Sequence, residues 1–409
     1  MLKSLHVGIV GYGTAGQALS LLLSRDGHHV EVFERATKLG PVGAGFLLQP
    51  TGLQVLWELG VLPEAMRHGR RIYRLYGETG DGRAVMDMRY SGLGGALFGL
   101  GMQRGALFQI LANAWPDRDR VREATAITAI DSQAGTLVDA EGRRHGPYDL
   151  VIVADGASSQ LRSTTQAVRR DALYPWGALW CLVPQGEWPW ADELRQRYVA
   201  ARKMIGFLPV GTREDDATPR LSFFWSLRGD AFNAWQRADM AEWKREVCTL
   251  WPQAGACLQQ VEQHHQLARA VYRDATVHGW ARDRVVLAGD AAHAMSPQLG
   301  QGVNMALMDA LALRDALRAE TSRDAALARY QRERQSHVRI YQFWSRWLTP
   351  LFQSDRDRIA RVRDLAFLPL GRLPLGRTHM LRVLSGTQHG WFGHLRLKPD
   401  FLAALQGTA

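Results

Sequence analysis

The stretch VGIVGYGTAGQAL, residues 7–19, narrows the choice of fold more than any other part of the chain. An apolar run, LHVGIV (5–10), has the length and composition of a buried parallel strand, and apolar residues recur with helical period over 14–25. Between them stand Gly11, Gly13 and Gly16 at GxGxxG spacing. Gly11 lets the chain turn off the strand, Gly13 lets backbone N–H groups approach a pyrophosphate, and Gly16 lets helix and strand pack closely. The helix N-terminus adds the positive end of its dipole. HHVEVFER (28–35) reads as the second strand, with Glu34 placed to hold a ribose hydroxyl. Arg35 beside it is either a further ribose or adenine contact or simply solvated. A strand–helix–strand unit with the acid in place points to an adenine dinucleotide. The competing reading of the glycines is a tight turn in an ordinary α/β protein. Nothing in the motif chooses between NAD and FAD.

With 409 residues the chain has room for two domains. No apolar run is long enough to span a bilayer, and the N-terminus lacks a signal-peptide layout, so the expectation is a cytoplasmic enzyme. The net charge of +10 is carried almost wholly by arginine and is spread along the chain. That speaks against nucleic acid as a partner and is suited to drawing in anionic cofactors. Cys181, Cys248 and Cys257 form no CxxC pair, so neither a disulfide framework nor a metal site is expected.

PWGALWCLVP (175–184), MIGFLPVG (204–211) and RLSFFWSLRG (220–229) are strand-like and rich in aromatics. They suggest a second sheet with one face on a cavity. Two later stretches return to the dinucleotide-binding pattern. YDLVIVADGASSQLR (148–162) is a strand ending in Asp155–Gly156, and DRVVLAGDAAHAMSPQLGQGVNMALMDALAL (283–313) is a strand, Gly289–Asp290, a loop of small residues and a helix. A carboxylate such as Asp290 at a strand's C-terminal end suits ribityl hydroxyls, the loop from Pro297 to Gly302 leaves room for a flat ring, and the following helix aims N–H groups at an anionic flavin.

With GxGxxG, DG and GD segments in this order, the chain resembles the single-component (class A) FAD-dependent aromatic hydroxylases. The resemblance implies an α/β fold: a Rossmann-like FAD-binding domain, an inserted β-sheet substrate domain and a helical C-terminal region. The expected segments are 1–75, 101–172 and 271–320 for the FAD domain, 76–100 and 173–270 for the substrate sheet, and 321–409 for the helical region. The resemblance further implies that Asp290, Pro297, Gly300, Gly302 and Asn304 surround the ribityl chain and isoalloxazine, with Ala15 in the first turn. Arg104, from GMQRGALFQIL (101–111), would approach the FAD phosphate. GPVGAGFLLQPTGLQVLWELG (40–60) would pass over the flavin, with Gly45, Leu48 and Gln49 nearby. Ala124 or Ala126 would contact the adenosine end, and Asp155 would lie where FAD meets the nicotinamide. The tail, with LTPLF (348–352), loosely resembles the ubiquinone-biosynthesis hydroxylase branch. Its aromatic helix is expected to pack on the FAD domain; contact with a membrane surface is the alternative.

The implied reaction is NAD(P)H-dependent: NADH or NADPH reduces FAD, O2 adds at C4a, and the hydroperoxide delivers one oxygen atom to an aromatic or quinone-like small molecule. His293, Tyr90 and Arg89 are the conceivable bases, although His293 also suits a packing role. Phe207, Phe223 and Trp225, together with Leu48 and Pro297, are candidate pocket walls; the three aromatics are equally candidates for core. There is no second GxGxxG before an acid-ended strand, as two-Rossmann flavoproteins require, and WPW (188–190) runs on into ADE, unlike flavin halogenases. Two other readings stay open: an FAD-dependent dehydrogenase or isoprenoid-reductase-like enzyme without oxygen insertion, and a non-catalytic flavin carrier. The expected oligomeric state is monomer or dimer.

Overall fold

The computed structural model describes residues 3–40, 43–94 and 97–407. Pro41 and Val42, within the stretch expected to pass over the flavin, lie outside them. The first three elements follow the opening motif: strand His6–Val10, helix Thr14–Arg25 and strand His29–Phe33. The helix starts at Gly13 with no side-chain cap, which leaves its first N–H groups for another acceptor. His6–Val10 is the centre of a six-stranded sheet ordered Ala281–Arg282, Val285–Leu287, Leu150–Val153, His6–Val10, His29–Phe33, Val121–Arg122. The inner strands are parallel, with Val7 opposite both Val30 and Leu150, and Val151 opposite Val285. Their residues are apolar on both faces because both faces are covered, one by the helix Thr14–Arg25 and the other by His145 and Tyr148, which pack against Phe33. The turns carrying Gly11, Asp155 and Asp290 therefore leave the same edge of the sheet, from adjacent strands.

A second sheet of seven strands runs Ala268–Ala270, Trp176–Pro184, Asp216–Arg228, Lys203–Arg213, Glu193–Val199, Arg74–Thr79, Ala84–Arg89. It is antiparallel except where Glu193–Val199 pairs with Arg74–Thr79. Side chains alternate between its faces. Leu208, Val210 and Phe224 join the core shared with the first sheet, whereas Ile205, Phe207, Phe223 and Trp225 belong to a separate core. That second core is closed by Trp243 and Val247 from the helix Met240–Leu250, with Trp188 and Trp251. The sequence expectation that Phe207, Phe223 and Trp225 line the pocket is thus corrected. They fill the sheet's outer side, and residues of the opposite parity face the first domain.

Among the described residues, four helices follow the helix Gly302–Ala319, the last of them Pro399–Gly407. The longest, Arg323–Phe352, buries Leu327, Tyr330, Val338 and Tyr341 in the core shared with the first sheet; of the aromatic tail, Leu348 and Phe352 join that core, whereas Trp347 is exposed. Helices Asp357–Arg372 and Pro374–Leu384 then fold over the strand Ala84–Arg89 and the turn after it.

Candidate active site

The glycines of the three turns divide into two kinds. A side chain at Gly11 (φ +103°) would lie 2.5 Å from the Ala154 carbonyl oxygen, and one at Gly16 would lie 2.0 Å from the Gly11 oxygen. A Cβ at Gly289 would sit 3.2 Å from that of Ala15. These close approaches bind the first motif to the second and third. Gly13, Gly156 and Gly300 have no heavy atom within 4 Å of a would-be Cβ, and Gly302 has only an Asp290 carboxylate oxygen, at 3.9 Å. Those four border open space at the C-terminal ends of the strands, where ligands of open α/β sheets bind.

The polar groups around that space are held ready. The Glu34 carboxylate accepts the Tyr12 N–H at 2.8 Å and the Ala36 N–H at 2.9 Å, so its position is fixed while lone pairs remain for ribose hydroxyls. Thr125 N–H donates to the Glu34 carbonyl at 2.8 Å, which places neighbouring Ala126 beside this loop. Arg35 is exposed. Asp290 opens the short helix Asp290–His293, and among the described residues no hydrogen bond or ion pair engages its carboxylate. Arg104 is hemmed in by protein but open to the groove, over the Phe46 ring at 5.7 Å. Burial draws its pKa down, and Asp290 and Tyr272 oppose that effect. Asp155 Oδ1 and Ser159 Oγ are buried without a hydrogen-bond partner, as is Nε of Arg162, whose Nη1 lies 3.4 Å from Asp171 Oδ2. Burial raises the Asp155 pKa against the pull of Ser159, Arg162 and Arg35. Open glycines, a free carboxylate, a groove-facing guanidinium and orphaned buried polar atoms fit a long ligand with hydroxyls and phosphates. Glu34, Gly13, Arg104, Asp155, Asp290 and the N-terminus of Gly302–Ala319 are the groups that would hold FAD.

Several expected residues do other work. Asn304 is fully buried; its Oδ1 accepts the Gln49 N–H at 2.8 Å and its Nδ2 donates to the carbonyls of Leu47 (3.3 Å) and Gly300 (3.2 Å). Its side chain joins the stretch before Pro50 to the loop before Gly302, and its polar atoms are spent on those backbone groups. Leu48 has no exposed surface, so it supports the cleft from beneath and does not line it. Tyr90 is buried and donates to Gln49 Oε1 at 2.6 Å; burial lifts its pKa above the ordinary phenol value. A phenol so placed does not act as a base near neutrality. Arg89 lies outside, 3.7 Å from Asp87. Pro297 opens the short turn Pro297–Leu299, half-buried at the groove.

His293 belongs to a network that motif reading missed. Its Nε2 is 2.7 Å from Asp309 Oδ2, the same oxygen that accepts the Gly289 N–H at 2.7 Å. Arg334 donates to Asp309 Oδ1 at 2.7 Å and to His337 Nδ1 at 2.5 Å, and His337 Nε2 meets the Gly386 carbonyl at 3.1 Å. Burial alone would raise the Asp309 pKa, yet His293 and Arg334 outweigh it and hold the carboxyl at about 2. His293 is therefore corrected from candidate base to a strut behind the Gly289–Asp290 turn. The only signal in the sequence was a charged residue at an apolar helical position, Asp309 in LMDALAL.

Across the groove, the inner face of the second sheet presents Trp180 and Phe224, their rings 5.2 Å apart. Trp180 Nε1 donates to the Tyr272 hydroxyl at 3.0 Å, and Tyr272 in turn faces Arg104 electrostatically.

The family model of an FAD binding domain matches residues 4–342. The chain belongs to the FAD-dependent aromatic hydroxylases. It is 30% identical over 381 residues to the 2-heptyl-3-hydroxy-4(1H)-quinolone synthase of Pseudomonas aeruginosa, covering 87% of this chain and 93% of that protein. It is 28% identical over 402 residues to the 6-methylpretetramide 4-monooxygenase of Streptomyces rimosus, covering 93% and 92%. The Klebsiella pneumoniae protein HpxO, solved with FAD and uric acid, shares the fold at a TM-score of 0.77 and 20% identity, over 93% of this chain and 97% of that one. This hydroxylase is thus an FAD-dependent monooxygenase, and the reductase and carrier readings fall away.

Proposed function

We propose that this monooxygenase uses NADH or NADPH and O2 to place one oxygen atom on a flat, electron-rich aromatic or quinone-like molecule. The observation that carries the proposal is the groove itself: three glycine turns converge on open space, walled opposite by the aromatic pair Trp180 and Phe224. FAD bound there supplies the capacity to take hydride from a nicotinamide and to activate O2. The protein's part is to bind, orient and exclude water. The N-terminus of Gly302–Ala319 stabilises negative charge on the flavin side of the groove. The neighbouring rings of Trp180 and Phe224, tilted 34° to one another, favour an aromatic substrate, and the Tyr272 hydroxyl, oriented by Trp180, is free to meet a polar substituent on it.

Of the three sequence-based candidates for a base, Tyr90 and His293 are committed elsewhere and Arg89 lies outside beside Asp87. A substrate carrying its own activating ring hydroxyl or nitrogen fits this arrangement. The names of two relatives, a 2-heptyl-3-hydroxy-4(1H)-quinolone synthase and a 6-methylpretetramide 4-monooxygenase, are in keeping with such rings. We place the enzyme in the cytoplasm, where reduced nicotinamide is made. The test is to follow NAD(P)H oxidation and oxygen uptake on the FAD-loaded protein with phenols, quinolones and indoles. One compound is expected to accelerate both together and to gain a single oxygen by mass. Acceleration of NAD(P)H oxidation without oxygenated product for every compound would overturn the substrate class.

A further inference from the structure

The apolar surface of this protein is concentrated at one end. Among the described residues, Trp347, Val362, Leu365, Leu370, Leu373, Trp391 and Phe392 are strongly exposed, and Phe392 is 96% exposed. They come from the end of the helix Arg323–Phe352, the helix Asp357–Arg372 with Leu373 just after it, and the hairpin after Pro374–Leu384. The helix Asp357–Arg372 carries large apolar residues on its exposed face. Helical spacing puts Arg358, Arg361, Val362 and Leu365 on one exposed face. The aromatics are continuous with one another: Phe343 lies 4.8 Å from Trp391 and 6.3 Å from Trp347, and Trp344 lies 6.5 Å from Trp391. Trp344 and Leu370 also line a cavity of about 390 Å³ that reaches the strand Ala84–Arg89, next to Tyr90. Leu370, one of the exposed apolar residues, thus lies in the wall of this cavity.

The charge around these residues has one sign. Asp355, Asp357 and Asp364 are each engaged by an arginine, namely Arg228, Arg202 and Arg363. Arg356, Arg358, Arg361 and Arg396 are exposed, and among the described residues no carboxylate pairs with them. Exposed leucine, tryptophan and phenylalanine interleaved with unpaired arginine match a headgroup–acyl boundary carrying negative charge. A second copy of the chain would bring the same positive charge to the same face and be repelled. No helix among the described residues is long and apolar enough to cross a membrane, so the contact is one that lies on the surface.

We propose that the face formed by Trp347, Val362, Leu365, Leu370, Leu373, Trp391 and Phe392 docks on an anionic lipid bilayer, with Arg358, Arg361 and Arg396 on the headgroups. The docking does not depend on which compound the flavin site oxidises, and its test reads no turnover. FAD-loaded full chain is floated with vesicles of phosphatidylcholine alone and of phosphatidylcholine mixed with phosphatidylglycerol. The protein is expected to float with the mixed vesicles and to be released by high salt. Leu365→Gln with Phe392→Ser is expected to weaken partitioning at least about tenfold, because each change removes a large apolar group from the boundary. Flavin spectrum and melting temperature should stay as in the parent protein. Arg358→Gln with Arg361→Gln should weaken binding to the mixed vesicles only. Failure to float with either vesicle overturns the proposal, as does a Leu365→Gln/Phe392→Ser protein that partitions like the parent. Sizing that shows a dimer dissociated by Leu365→Gln would put a second copy on this face and also overturn it.

Discussion

A methyl group added at Gly13 and one added at Gly16 would meet different surroundings, although the two glycines belong to one motif. At Gly16 it meets a backbone oxygen at 2.0 Å, so the helix must move; Gly16→Ala should cost about 2 kcal/mol or more in urea unfolding. At Gly13 it meets nothing, and the backbone there (φ −73°, ψ −172°) is ordinary for alanine. Gly13→Ala should therefore leave the flavin-free protein within about 0.5 kcal/mol of its parent yet weaken FAD binding, read by flavin titration, by at least about tenfold. Equal effects of the two changes would contradict the division between packing and clearance. Tyr90 gives a second test at this scale. Tyr90→Phe leaves Gln49 Oε1 without its partner and should cost about 1–3 kcal/mol of stability. The pH profile of turnover should keep its shape, because Tyr90 holds Gln49 and takes no proton from substrate.

At the scale of elements, the Gly289–Asp290 turn depends on two helices behind it. Asp309 joins the turn to Arg334 and His293, and Asp309→Ala would leave Arg334 buried and uncompensated. A loss of about 3–5 kcal/mol is expected by denaturant titration. The same network predicts how stability depends on acid. Burial, then Arg334, holds His337 well below its ordinary value, against the Gly386 carbonyl. Below about pH 6.5 the unfolded chain takes up a proton that the folded chain refuses, so stability falls by about 1.4 kcal/mol per pH unit from this group. Asp309, held at about 2, acts further down: its contribution is complete above about pH 4 and is lost as pH falls through 2. His337→Gln should flatten the first decline and leave the second. The turn itself was legible in the sequence because glycines and acids at strand ends act locally. The network behind it was not, since Asp309, Arg334 and His337 are brought together by helix packing and carry no local pattern.

For the whole molecule, the two cores separate two duties. The first joins both sheets and the long helix around the groove; the second, with Trp188, Trp243, Trp251, Phe207 and Phe223, lies wholly on the outer side of the seven-stranded sheet. Trp251→Ala should cost about 3–5 kcal/mol of stability while the folded protein binds FAD with its parent affinity. Loss of flavin from the folded variant would show that the outer core shapes the groove. This separation also marks where reading the sequence reached its limit. Alternation in MIGFLPVG and RLSFFWSLRG told that the strands have two faces, and both faces proved apolar, one against the FAD domain and one beneath the helix Met240–Leu250. Periodicity does not say which face meets the cofactor, so Phe207, Phe223 and Trp225 could be named as aromatic strand residues but not assigned a side. The order of the GxGxxG, DG and GD turns was readable because parallel strands deliver their C-terminal turns to one edge.

The central claim is that this groove transfers an oxygen atom from O2 to an aromatic ring. The most direct measurement is turnover of a responsive substrate by the FAD-loaded enzyme and NADPH or NADH under heavy-oxygen gas in ordinary water, with the product weighed by mass spectrometry. The account predicts one heavy oxygen per product molecule and one NAD(P)H consumed for each. A product that takes its oxygen from water, or one that is oxidised or reduced without gaining oxygen, would contradict it.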